Sequence, residues 1–457
     1  MKALLAQVLP LIGLLIGLAV FLRWRATGRT VPILPVLGAC ALMGVGLFAV
    51  SDPPGLFEDF RDAYFGAGVA LQQGPAALGP MIDKGTDGFV NLPIIAYAFW
   101  PLGALSLHAA MVIFSLAGVV CVLAAWLALV RGLSLDRTSS LALLFVFACW
   151  GPLAYSVREA NLTHFLLWPL AASMLMLRRG EDFRAGVLLG LAALVKLPLL
   201  LFGVYYLFFG RWRVALGGAL TCVAAVLASL AVFGWDMHVR WYEACIQPYA
   251  NDPMPAFNVQ SVQAYISRLQ LGASGLFQWK VVPLHGWAPM LSKLLVALTY
   301  AGVLVFLWHA RRLSGATAAG APGQNGMLAS DAEFMLVMAL ACVTSPLSWS
   351  HYYCWFLLPA AFFLRSLQQP AAPSRPWRGL GWLALVACAA PVVTLRIDPW
   401  WLAEIHARST TSVLLFAGLL WMLWLGLSLR AMQKHSPSQR SSAERNGPQT
   451  GYFSPEG

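Results

Sequence analysis

Uninterrupted apolar runs of bilayer length dominate this chain. Residues 3–22 form the first, with Lys2 ahead of it and Arg23, Arg25 and Arg29 behind. A hydrocarbon core asks for roughly 20 apolar residues in a helix. In lipid, only helices and closed barrels satisfy every backbone polar group. The run is longer than a signal-peptide core, and no small-residue cleavage site follows it. Further runs cover 32–50, 108–130, 213–233, 288–308, 379–395 and 410–429. Hydrophobic residues make up 59% of the chain, charged ones 11%, and the mean hydropathy is +0.70. Soluble domains carry about 25% charged residues, so an ordinary soluble enzyme, a disordered chain and a secreted disulfide scaffold are excluded. The predicted fold is all-α: a polytopic membrane helix bundle in one integral-membrane domain, 1–429, followed by a disordered cytoplasmic tail, 430–457, rich in Ser, Gln and Pro. The 8 cysteines show no metal-ligand spacing and read as small buried hydrophobes.

The net charge of +11 reports orientation rather than nucleic-acid binding. Positive-inside places Arg23–Arg29 in the cytoplasm and the loop from Ser51 on the periplasmic or exterior side of a bacterial inner membrane. That loop carries Asp52, Glu58, Asp59, Asp62, Asp83 and Asp87 against Arg61 and Lys84. A loop this long and acidic does more than connect spans. Residues 89–107 are apolar but contain Pro93 and Pro101. Charge parity with Arg131, Arg137, Arg178, Arg179 and Arg184 holds only if this segment does not cross, so it reads as interfacial or re-entrant. Residues 184–210 lie between two basic turns and are too short for two full spans. Two broken helices meeting near Lys196-Leu197-Pro198 solve this, and a similar short pair, 333–347 and 352–365, surrounds Ser345–His351. A second large outer loop covers about 234–287, and a Gly/Ala-rich linker at 313–332 lies inside. The total is about thirteen spans.

Several polar residues stand out against this background. Asp59 sits at the outer surface, either as a solvated loop charge or as a general base for a hydroxyl arriving from water. Arg158 and Glu159, followed by Asn161, read as an interfacial ion pair or as site groups. Lys196 interrupts an apolar run; it either snorkels outward or faces a cavity or an anion. His351 lies at a helix break, where it packs or orients a phosphate or sugar hydroxyl. Asn258, Gln260, Ser261 and Arg268 are ordinary loop polarity when read alone. Gly186 and Gly190 are helix-packing positions. The chain has no nucleotide-type phosphate loop, no HExxH and no CxxC; the outer-face acids show no clear paired spacing, so neither a metal nor another cofactor is expected, with Glu58 beside Asp59 leaving a metal open.

In sum these segments resemble glycosyltransferase family 87, polytopic GT-C-type enzymes that use polyprenyl-phosphate sugars. Asp59-Phe60-Arg61-Asp62-Ala63-Tyr64, then Gly66-Ala67-Gly68 and Gly74, is similar to the family's first-loop pattern, with Ala63 at a Tyr position. Phe89-Val90-Asn91-Leu92-Pro93, with Pro101-Leu102, corresponds to its Phe-x-Tyr-Pro-Pro element, lacking the Tyr and one Pro. Asn161 alone remains of a Gly-Gln-x-Asn element. Gly186, Gly190, Lys196 and Pro198 match a Gly-Lys-Pro pattern. Asn258-Val259-Gln260-Ser261, with Arg268, and Ser345-Pro346-Leu347-Ser348-Trp349-Ser350-His351-Tyr352 complete the set; Tyr352 stands where the family has a second His.

The resemblance implies a GT-C-like fold and transfer of a hexose, mannose first, from a polyprenyl-phosphate donor to a glycolipid or glycan hydroxyl, with inversion. Asp59 would be the base, and Lys196, Arg158, Arg268 and His351 the candidates for the phosphate. Asn161, Asn258, Gln260 and Ser261 join them as substrate-binding positions. The rivals are a lipid-linked-sugar transporter or flippase, which predicts repeat symmetry, and a non-catalytic scaffold, which leaves Asp59 and Lys196 without a job.

Overall fold

Long apolar helices frame the molecule, and short, proline-broken ones fill it. The computed structural model describes residues 2–28, 31–49, 56–314, 329–368, 377–390 and 399–434. Most of the predicted linker, the tail beyond 434 and the start of the first outer loop lie outside the described residues. Among the described residues all regular structure is helical, apart from one isolated antiparallel bridge between Val259 and Trp349.

Among the described residues four helices are long and apolar enough to cross a membrane: Leu107–Gly132, Trp212–Cys245, Ala288–Arg312 and Trp400–Ala431. A fifth is counted if Arg137–Ala148 and Gly151–Glu159, bent by 51°, form one span. Their outer faces carry open apolar side chains such as Val120, Leu227 and Val305, each more than 60% exposed. Apolar surface on this scale needs a lipid or protein cover.

Proline explains the breaks. Lys196 is extended (φ −136°, ψ 97°) between the helix Asp182–Val195 and the 3-10 turn Leu197–Leu200, which leads into Leu201–Phe208. Pro198 has no amide hydrogen and clashes with the preceding turn, so the first helix cannot continue through it. The two broken helices expected over 184–210 are therefore present. The second pair is also present, as Ala329–Thr344 and Leu357–Leu367 flanking a 3-10 segment, Ser350–Phe356. Gly186 acts as a packing position: a Cβ there would lie 2.1 Å from the Val214 carbonyl oxygen. This lets Asp182–Val195 lie against Trp212–Cys245 nearly backbone to backbone.

The first outer loop has its own core. Phe60, Tyr64, Leu78, Ile82, Phe89 and Phe99 pack with Phe114 of the Leu107–Gly132 helix. The Tyr64 and Phe99 rings stack at 4.9 Å. Residues 93–103 break into the 3-10 helix Pro93–Ala98 and the single turn Trp100–Gly103, both far shorter than a span.

The long helix from Trp212 breaks at Gly234 (φ 72°, ψ 173°), where a positive φ suits glycine, close to the expected start of the second loop; a second helical segment runs from there to Cys245. The extension props up the first loop: Arg240 pairs with Asp83, and Trp241 Nε1 donates to the Val90 carbonyl at 3.0 Å. Beyond it, Gln260 N donates to Ser348 O at 2.6 Å and Ser350 N to Asn258 O at 2.7 Å. These bonds tie the Asn258–Ser261 element to the Ser345–His351 element.

Candidate active site

The two loops expected on the outer face and the two helix breaks surround one cavity of about 1070 Å³. Asp59, Arg158, Asn161, Lys196, Asn258 and His351 line it, so six residues from five sequence regions converge there.

Asp59 immediately precedes the buried Phe60. The loop is pinned beside it, because Phe57 N donates to the Arg158 carbonyl at 2.8 Å. Asn161 follows Ala160, whose left-handed conformation (φ 51°) ends the Gly151–Glu159 helix. Asn161 Oδ1 accepts from Thr163 N at 3.0 Å and from Thr163 Oγ1 at 2.6 Å. With that oxygen occupied by donors, the amide NH2 must face the other way, and Nδ2 donates to Asp59 Oδ2 at 2.6 Å. Burial raises the Asp59 carboxyl above the ordinary Asp range, while the Asn161 hydrogen bond and the Lys196 charge pull it back down.

Lys196 is 7% exposed. Among the described residues no carboxylate lies within ion-pair distance of it. Its Nζ sits 5.0 Å from the centre of the Tyr352 ring, whose face attracts a cation. Asn91 Nδ2 donates to the Val195 carbonyl at 2.8 Å, linking the first outer loop to the residue before Lys196. His351 is buried, and among the described residues neither ring nitrogen has a hydrogen-bond partner. The Tyr155 and Trp349 rings lie nearly parallel to it, with centroids 6.2 and 6.3 Å away. Arg158 is an ion-pair partner as well as a wall: its Nη2 lies 2.6 Å from Glu159 Oε1. Asn258 bridges Tyr155 and Trp279, donating to the Tyr155 hydroxyl and accepting from Trp279 Nε1, both at 3.2 Å.

Three expected site residues do not line the cavity. Gln260 Nε2 donates to the carbonyls of Phe257 and Thr411, both at 2.7 Å. Ser261 caps the helix Val262–Leu271 by accepting from Ala264 N. Arg268 is fully buried and donates to the carbonyls of Pro255, Ala256 and Val259 and to Ser412 Oγ. An Arg held by three carbonyls braces its loop and has no free fork for a phosphate. Conversely, Asn91, Tyr155, Trp279 and Tyr352 line the cavity without having been singled out as site residues. A polar Asn inside the apolar 89–107 run was the available signal for the first. The aromatic residues give none, because ring position is a tertiary property.

Among the described residues no group of three or more His, Cys, Asp or Glu could hold a metal ion. The cavity instead offers a carboxylate with one oxygen held, an unpaired ammonium and an unsatisfied imidazole. Such a set can take a proton at one point and stabilise an anion at another.

The family model for glycosyltransferase family 87 matches residues 89–330. The chain is 25% identical over 396 residues to a polyprenol-phosphate-mannose-dependent alpha-(1-2)-phosphatidylinositol pentamannoside mannosyltransferase of Mycolicibacterium smegmatis, covering 83% of this chain and 88% of that protein. It is 28% identical over 180 residues to a polyprenol-phosphate-mannose-dependent alpha-(1-2)-phosphatidylinositol mannoside mannosyltransferase of the same organism, covering 39% of this chain and 36% of that protein. No solved structure matches.

Proposed function

Because the chain belongs to glycosyltransferase family 87, we infer that it moves a hexose, mannose first, from a polyprenyl phosphate to a hydroxyl of a glycolipid or glycan. The observation that carries this reading is Asp59 and Lys196 lining one cavity, neither of them in an ion pair among the described residues. The names of the two relatives support a polyprenol-phosphate-mannose donor and a mannoside acceptor.

In this mechanism the acceptor oxygen attacks the anomeric carbon from the face opposite the phosphate. The anomeric carbon–oxygen bond breaks, its electron pair leaves with polyprenyl phosphate, and the configuration inverts. The acceptor proton passes to Asp59 Oδ1, the oxygen left over by Asn161. Charge growing on the leaving phosphate meets Lys196, and His351 donates to the phosphate or to a sugar hydroxyl. The prenyl chain lies on apolar surface between helices. The cavity faces the periplasm or exterior of a bacterial inner membrane, and the short broken helices complete about thirteen crossings. The tail beyond residue 429 lies in the cytoplasm.

The test is to incubate purified protein with a panel of labelled polyprenyl-phosphate sugars and membrane extract. The reading expects one donor to be consumed and its sugar to appear on a lipid or glycan. A donor that crosses the bilayer but is never cleaved would make the protein a transporter instead. For sidedness, single-cysteine labelling of intact cells should reach position 83 and not position 320.

A further inference from the structure

The cavity also holds aromatic residues that the transfer step does not use. Phe257, Phe277 and Trp279 of the second outer loop all line the cavity. Trp279 is 41% exposed there. Phe257 and Phe277 meet it at 81° and 62°, and among the described residues no ring stacks parallel to the indole. The indole is also fixed in orientation, because its Nε1 is held by Asn258, which is in turn held by Tyr155. Arg158 lies over the Tyr155 ring at 5.2 Å and pairs with Glu159. A fixed apolar platform thus shares the cavity with a guanidinium and a carboxylate, linked to it through Asn258 and Tyr155.

A pyranose ring has matching chemistry. One face is a patch of C–H bonds, and its rim carries hydroxyls. The negative face of an indole attracts the polarised C–H groups, and a few convergent polar groups set orientation in an otherwise apolar pocket. Membrane proteins also place Trp at the lipid headgroup level. Trp287 and Trp400, 57% and 76% exposed and off the cavity wall, fit that role. Trp279 does not, since it lines the cavity and its N–H is satisfied within the protein.

The geometry points to a carbohydrate subsite on Trp279, where the acceptor sugar next to the one that supplies the attacking hydroxyl stacks on the indole. Asp59 then serves any correctly placed hydroxyl, and Trp279 selects acceptors of two or more sugars. This inference rests on the transferase reading above.

The test compares octyl mannoside with octyl mannobioside as acceptors, using the full chain in lipid nanodiscs with its labelled donor. Wild type should prefer the two-sugar acceptor by roughly tenfold in kcat/KM. Trp279→Ala should erase that preference through the KM for mannobioside, with donor KM unchanged. Trp279→Phe should restore part of it, and Trp287→Ala should change nothing. If Trp279→Ala does not fold, Trp279→Leu replaces it. A wild type without preference, a Trp279→Ala protein that keeps the preference, or equal losses on both acceptors in the Ala and Phe variants would overturn the subsite. Saturation-transfer NMR with mannobioside and no donor separates the two readings. Ring saturation lost in Trp279→Ala supports the subsite even where no transfer is detected, and no saturation in wild type removes it.

Discussion

Two helices, Asp182–Val195 and Ala329–Thr344, carry charged or polar groups at both ends, and the two ends differ in kind. At one end, Arg178 closes on Asp331 at 2.6 Å, Arg311 on Glu333 at 2.5 Å, and Arg211 on Asp182. Tyr205 also donates to Glu333 at 2.9 Å. Asp182 starts Asp182–Val195, and Asp331 and Glu333 lie at the start of Ala329–Thr344; their cationic partners come from the end of Leu167–Arg178, the residue before Trp212 and the end of Ala288–Ser314. About 20 Å away along the 14-residue Asp182–Val195 helix, the opposite ends reach the cavity. There, among the described residues, Lys196 has no carboxylate partner and both His351 nitrogens are unsatisfied. A buried polar group without a partner costs free energy. Where the same helices pair their charges at one end and leave them open at the other, the open end is where a ligand completes the set.

The comparison can be broken most sharply at the base. Asp59→Asn keeps shape and a hydrogen-bonding edge but loses the proton acceptor. Turnover should drop by about 10²–10⁴-fold, with donor affinity nearly unchanged, and Asp62→Asn should cost far less. Near-normal turnover in Asp59→Asn would move the base to Glu58 or Glu159.

Next in size is the closed end. Asp331 is 1% exposed, and Asp331→Ala strands the partly buried Arg178 guanidinium. Such losses cost about 3–5 kcal/mol, so denaturation should come earlier while turnover per folded molecule holds. Lost turnover at unchanged stability would tie this end to catalysis.

A smaller effect sharpens the open end. Burial raises the Asp59 carboxyl above the ordinary Asp value of about 3.9. The base works only when deprotonated, so activity should disappear as pH falls through that raised value. Asn161 lowers it, so Asn161→Ala should shift the acid limb of kcat/KM to higher pH. For stability the sign is opposite: the folded protein holds a proton that the unfolded chain releases, so this group's contribution grows as pH falls. An acid limb that Asn161→Ala leaves in place would detach Asp59 from the pH profile.

Much of this contrast is legible in the sequence, for physical reasons. Apolar runs of bilayer length announce spans, and Pro198 announces the break that exposes Lys196. Lys196 itself is conspicuous because a Lys within an apolar run needs an explanation. Arg268 shows the limit. In the sequence it is as plausible a phosphate ligand as Lys196, yet three backbone carbonyls of its own loop occupy it. Which cation stays free depends on loop conformation, and spacing does not encode that. Tyr352 shows the converse: a departure from the family's second His places a ring beneath the Lys196 ammonium. The second helical segment that follows the break at Gly234 was equally hidden, since nothing in the loop's composition marks it as helical.

The central claim is that unpaired charge at the cavity serves chemistry and paired charge serves the fold. It is tested most directly by removing one cation of each kind, Lys196→Met and Arg311→Met, and measuring turnover per folded molecule and thermal midpoint on the same preparations. Lys196→Met should lose roughly 10²–10³-fold in turnover, as when one transition-state charge partner is deleted, with its midpoint held or raised. Arg311→Met should lose midpoint and keep turnover. If Lys196→Met instead keeps its turnover and melts early, as Arg311→Met does, Lys196 is a structural residue and the account is wrong.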